Sequence, residues 1–129
     1  MAIVVEVEYC NVHTGRNKQS DLFIYPSFIV KGHANDGTIN SIKCCAGVTA
    51  ILSGLKRLVV GGDKDTCVLK KGYFEYRLIN RKIEIIKENI DTQYALNVAL
   101  CQLFNVYKMY PSLFEKFEMK EVELCQTQM

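Results

Sequence analysis

LFIYPSFIVKGHANDGTINSIKCCAGVTAILSGLKRLVV, residues 22–60, changes once from the period of a strand to the period of a helix. Leu22 to Val30 is rich in β-branched and aromatic residues and predicts a strand. Pro26 within it lacks a ladder donor, which calls for an edge position or a bulge. Gly32 to Asn40 carries two glycines among turn formers and reads as a loop able to approach other backbone closely. Asn40 or Ser41 is placed to cap a helix running to about Val60. Its apolar stripe is Cys44, Val48, Ile51, Leu55 and Leu58, spaced for one helical face. Gly61-Gly62-Asp63 supplies a glycine stop.

On the N-terminal side, Ile3 to Tyr9 alternates valine and tyrosine with Glu6 and Glu8, the pattern of a half-buried strand. Cys10 to Asp21 is polar and predicts a loop. On the C-terminal side, Thr66–Leu69 and Tyr73–Leu78 predict two strands joined across Lys70-Lys71-Gly72. Ile83–Ile86 fits either a further strand or the approach to a second helix. Asp91 or Thr92 would cap that helix, whose stripe is Leu96, Leu100, Leu103, Tyr107 and Tyr110, with Pro111 as its stop. Glu118 to Leu124 alternates as a closing strand. The order β-β-α-β-β-(β)-α-β predicts an α+β fold, a single domain over residues 1–129. Its sheet is mixed and largely antiparallel, with two helices packed on one face.

Composition narrows the function. The chain has 129 residues and a net charge of +2, with 49% hydrophobic and 23% charged residues, as in a soluble globular protein. No run approaches the roughly 20 apolar residues of a membrane span. The apolar start is broken by Glu6 and Glu8 and has no basic leader, so no signal peptide is expected. Basic residues occur as short pairs, Lys56-Arg57 and Lys70-Lys71, with no basic stripe interleaved with aromatics. Neither a nucleic acid nor a membrane is therefore expected as partner. Six cysteines without a C-x-x-C pair, most of them in apolar stretches, predict free thiols in a reducing, cytoplasmic setting.

Two of these cysteines are adjacent, and helical phase separates them. Cys44 falls on the buried stripe with Val48 and Ile51. Cys45 is rotated by roughly 100°, toward the edge of the apolar face. A cysteine near a helix start gains from the dipole and from unpaired amide groups, which favour its thiolate and its reactivity. His33, on the preceding glycine loop, is placed to fold back over that start and act as a base. A turn histidine is the plain alternative. Zinc on His33, Cys44 and Cys45 is disfavoured because neighbouring helical residues point apart and a fourth ligand is lacking. No cofactor or metal is expected.

Gly32-His33-Ala34, Gly37 and Cys45-Ala46-Gly47, with Lys71-Gly72-Tyr73-Phe74 and Tyr110-Pro111-Ser112 further on, resemble the ribosomal-processing cysteine proteases of bacteria. The resemblance implies that Cys45 is the nucleophile and His33 the general base. It implies a substrate, a large-subunit ribosomal protein precursor whose N-terminal extension is removed after an aromatic-containing motif, and it implies a homodimer. Ile42 stands where many members carry an acid three positions before the cysteine, which leaves either Asp36 or no residue at all to orient His33. The segments 10–21 and 79–89 are longer than is usual in that family. A second class stays open: a non-catalytic dimeric α/β module that binds a ribosomal or regulatory partner. The small-residue row Ala46, Ala50 and Gly54 would allow another helix to approach closely.

Overall fold

A computed structural model describes residues 2–13, 21–34, 36–59, 65–79 and 90–123. The elements are β1 (Ile3–His13), β2 (Asp21–Lys31), α1 (Ile39–Leu58), β3 (Asp65–Lys70) and β4 (Tyr73–Leu78). They continue with α2 (Ile90–Met109), a 3-10 turn (Pro111–Leu113) and β5 (Phe114–Glu121). The expected α+β class is the one found. A five-stranded sheet has the order β3-β4-β2-β1-β5. Every pairing is antiparallel except that of β1 with β5. Residues 83–86 and the glycine stop at 61–63 lie outside the described residues.

The alternation in β1 builds one dry face. Ile3, Val5 and Val7 are buried, together with Phe28 and Val30 of β2 and Phe74 and Tyr76 of β4. Cys44, Val48, Leu52 and Leu55 of α1 and Leu96, Ala99, Leu100 and Leu103 of α2 close over them. The opposite face is wet. Glu6 lies 3.6 Å from Lys31 and 3.5 Å from Lys116, exposed pairs of the kind that contribute little to stability.

The strand boundaries differ from the sequence expectation for one reason, irregular register. Residues 10–13 continue β1 rather than starting a loop, with Asn11 opposite Phe23 and His13 opposite Asp21. The register shifts between Glu8, which faces Ser27, and Cys10, which faces Ile24. That bulge resets the inside-outside alternation, so the far half of the strand no longer reads as its continuation. It also settles Pro26. β2 is an interior strand, so the edge option fails, and the proline sits at the register shift beyond the Ser27–Lys31 ladder with β4. β5 likewise begins at Phe114, four residues before the expected start. Ile3 faces Phe114 and Val4 faces Lys116, and this skipped residue hides the alternation.

A buried side chain repairs the backbone beside Pro26. Gln93 of α2, 1% exposed, accepts the Tyr25 N–H at 2.7 Å through Oε1 and donates from Nε2 to the Tyr25 carbonyl at 3.5 Å. It acts as a substitute strand neighbour where the ladder is interrupted, meeting the rule that buried backbone groups are paired. Gln93→Leu keeps the volume but strands the Tyr25 amide. Urea unfolding should show a loss of about 1–3 kcal/mol; unchanged stability would mean that the glutamine is not needed there.

Candidate active site

At the end of β2 the chain must turn sharply out of the sheet, and Gly32 makes this possible. Its φ is +96°, and a Cβ there would stand 2.3 Å from the carbonyl oxygen of Ala2. Only glycine fits both constraints. The Gly32 N–H donates to the Gly72 carbonyl at 3.0 Å, which ties the exit of β2 to the turn between β3 and β4. His33 follows directly, beside that turn.

The helix that carries the cysteines starts earlier than its sequence suggests. Thr38, not Asn40 or Ser41, is the N-cap, and its Oγ1 accepts the Ser41 N–H at 3.2 Å. Asp36 reinforces this cap. Its Oδ1 accepts the Thr38 N–H at 3.0 Å and the Thr38 hydroxyl, and these bonds hold its carboxyl below the usual range. Asp36 is thus engaged with Thr38. Ile42 is 68% exposed on the helix surface.

With the helix starting at Ile39, Cys45 is its seventh residue, about 10 Å along the axis. The unpaired amides and the strongest dipole effect belong to the first turn, so the expected helix-start activation does not reach the sulfur. A different backbone group does. The Ala34 N–H donates to Cys45 Sγ at 3.2 Å, and the Cys45 thiol donates to the Ala34 carbonyl at 3.1 Å. One peptide residue, next to His33 in the chain, therefore holds the sulfur from both sides.

The separation of the two cysteines follows their helical phase. Cys44 is fully buried on the core face, where desolvation first, and the neighbouring Cys45 second, push its thiol up to about 11. Cys45 is half-buried and opens, with His33, into a cleft of about 510 Å³. Val48, Thr49, Leu52 and Ser53 of α1 form one wall, and Leu69 to Tyr73 with Ile3 form the other. The wall is largely apolar, with Lys70 and Lys71 at the rim. Sequence periodicity separated Cys45 from the buried face that holds Cys44. It missed the Ala34 peptide, because a backbone contact leaves no residue-type signal. Among the described residues no group of three metal-ligating side chains occurs, and no helix is long and apolar enough to cross a membrane.

No protein-family model matches this chain, and no curated protein matches it by sequence. Solved structures do match. The essential ribosomal processing protease Prp from S. aureus, in complex with a substrate peptide, aligns with a TM-score of 0.57 at 19% identity, over 92% of this chain and 100% of that one. Prp with a covalently linked product peptide aligns equally well. SMU.848 from Streptococcus mutans gives a TM-score of 0.59 at 18% identity, over 92% and 96% of the two chains. The fold is shared, and its neighbours include the family that the G-H-A and C-A-G segments resemble.

The burial of Cys44 has a thermodynamic signature. Burial raises this thiol from its ordinary value of 9.0 to about 11 in the folded chain, so the unfolded chain releases this proton first as pH rises. The contribution is complete below pH 9 and is lost between about pH 9 and 11. Wild type should be more stable than Cys44→Ala at pH 8, with the gap in denaturant midpoint narrowing toward pH 11. A constant gap would contradict this assignment.

Proposed function

We propose that this chain is a cysteine endopeptidase that removes the N-terminal extension of a large-subunit ribosomal protein precursor, with Cys45 as nucleophile and His33 as general base. The observation that carries the proposal is the cleft that Cys45 and His33 both line. Support comes from the fold, shared with a protease captured with substrate and with covalently linked product peptides.

In the resting arrangement the thiol donates a hydrogen bond to the Ala34 carbonyl. Catalysis begins when His33 replaces that carbonyl as acceptor and takes the proton. The thiolate, still met by the Ala34 N–H, attacks the scissile carbonyl carbon. His33 then returns the proton to the leaving amine as the C–N bond breaks, which leaves a thioester on Cys45. Water, deprotonated by His33, attacks the thioester, and the thiol and the new carboxyl terminus are released. Since Cys45 lies in the second turn of α1, its own amide belongs to the helical ladder. The donor already aimed into the reaction centre is the N–H of Ala34.

The same reading places the enzyme in the cytoplasm and makes it a homodimer, which sedimentation of the purified chain tests directly. The alternative of a non-catalytic binding module draws on the resting Cys45–Ala34 bond and on Ile42 in place of an acid. The two readings part when the chain is mixed with the extended precursor. Cleavage marks the enzyme, and a stable complex without cleavage marks the module. For the enzyme, Cys45→Ala should abolish cleavage and His33→Ala should slow it by about 10²–10⁴-fold. Wild-type rates in both variants would overturn the proposal.

A further inference from the structure

The turn between β3 and β4 does more than join two strands. Lys70 pairs with Tyr73, and Gly72 between them has a φ of +72°. A residue at positive φ is commonly glycine on backbone grounds alone, and asparagine is among the few side-chain residues that tolerate it. Space decides otherwise here. A Cβ on Gly72 would lie 2.3 Å from Nε2 of His33, 2.9 Å from its Cε1 and 3.0 Å from its Cδ2. Gly37 gives the contrast: its φ is +78°, yet a Cβ there would meet nothing within 4 Å. Two glycines with nearly the same φ thus differ in what a side chain would strike. At Gly72 it would strike the imidazole.

We propose that Gly72 is a positioning residue for His33: the missing side chain leaves the slot in which the imidazole lies, between the hairpin turn and the cleft that holds Cys45. Its carbonyl serves the same end, because it accepts the Gly32 N–H at 3.0 Å and so fixes the residue before the histidine. The turn holds the residue before His33 by its backbone and leaves room for the ring. The proposal rests on the reading of His33 as the base for Cys45. It adds that the location of the base is set by a residue outside both the G-H-A segment and the cysteine helix.

Gly72→Asn is the discriminating variant, since asparagine tolerates a positive φ better than other side-chain residues, and the backbone cost it carries is the same in wild type and in His33→Ala. Three measurements apply. The chain has two histidines, so the His33 ring signals are readily followed by NMR, and Gly72→Asn should displace them. In cleavage assays kcat should fall to the His33→Ala level with little change in KM, and His33→Ala/Gly72→Asn should show no additional loss. In urea unfolding, Gly72→Asn should lower the midpoint more in wild type than in His33→Ala, where no ring has to move aside. If Gly72→Asn does not fold alone, recovery of folding in the double variant supports the same coupling. Unmoved His33 signals, or midpoint shifts that simply add, would overturn the positioning role. Coupled stabilities in a chain that cleaves nothing would leave the slot standing and remove only the protease reading.

Discussion

The hydrogen bond from the Gly32 amide to the Gly72 carbonyl, 3.0 Å long, is the constraint on which the candidate site depends. It joins the end of an interior strand to a turn that lies far away in sequence. It can form because Gly32 adopts a positive φ against the Ala2 carbonyl, a conformation and a spacing that a Cβ would deny. From that point the chain leaves the sheet in one direction. His33 is set beside Gly72, and Ala34 reaches the second turn of α1, where its amide and carbonyl meet Cys45. The register of β1, β2 and β4 holds both ends of the bond, since Lys31 faces Val4 on one side and Tyr73 on the other.

Two adjacent thiols receive opposite environments from one helix. Cys44 is driven into the core between sheet and helix, where burial raises its pKa and leaves it as a small hydrophobe. Cys45, a third of a turn away, meets polar backbone and an open cleft. Because α1 starts at Ile39 with its cap at Thr38, the helix terminus is too far from the sulfur to act on it. The local peptide of Ala34 takes that place. Its carbonyl accepts the thiol hydrogen and its amide donates to the sulfur.

Much of this was legible in the sequence. The alternation of residues 3–9, the stripe at 44, 48 and 55, and the turn formers at 32–40 identify the order of elements, the helix-covered face and the cysteine that faces outward. Irregularity hid the rest. The bulge opposite Pro26 and the skipped residue near Phe114 break the period-2 pattern, so β1 reads too short and β5 too late. In α1 the buried position is Leu52 rather than Ile51, and Leu58 is exposed, since the stripe drifts around a helix of 3.6 residues per turn. The cap at Thr38 was displaced by Asn40 and Ser41, which are equally good capping residues by type. The role of Gly32 was foreshadowed by its residue type. The contact of Gly72 with His33 spans 39 positions and is visible only once the strands are paired.

The most direct test of the central claim, that Cys45 is the reactive thiol and His33 its base, is site-resolved alkylation by iodoacetamide across pH, in wild type and in His33→Ala. The account predicts that Cys45 reacts well ahead of the other five cysteines near neutral pH. It further predicts that His33→Ala moves the profile toward that of an ordinary thiol, which gains reactivity only as pH approaches about 8.5. If Cys45 reacts no faster than a free exposed cysteine, and its profile does not change when His33 is removed, the pair carries no chemistry and the catalytic account is contradicted.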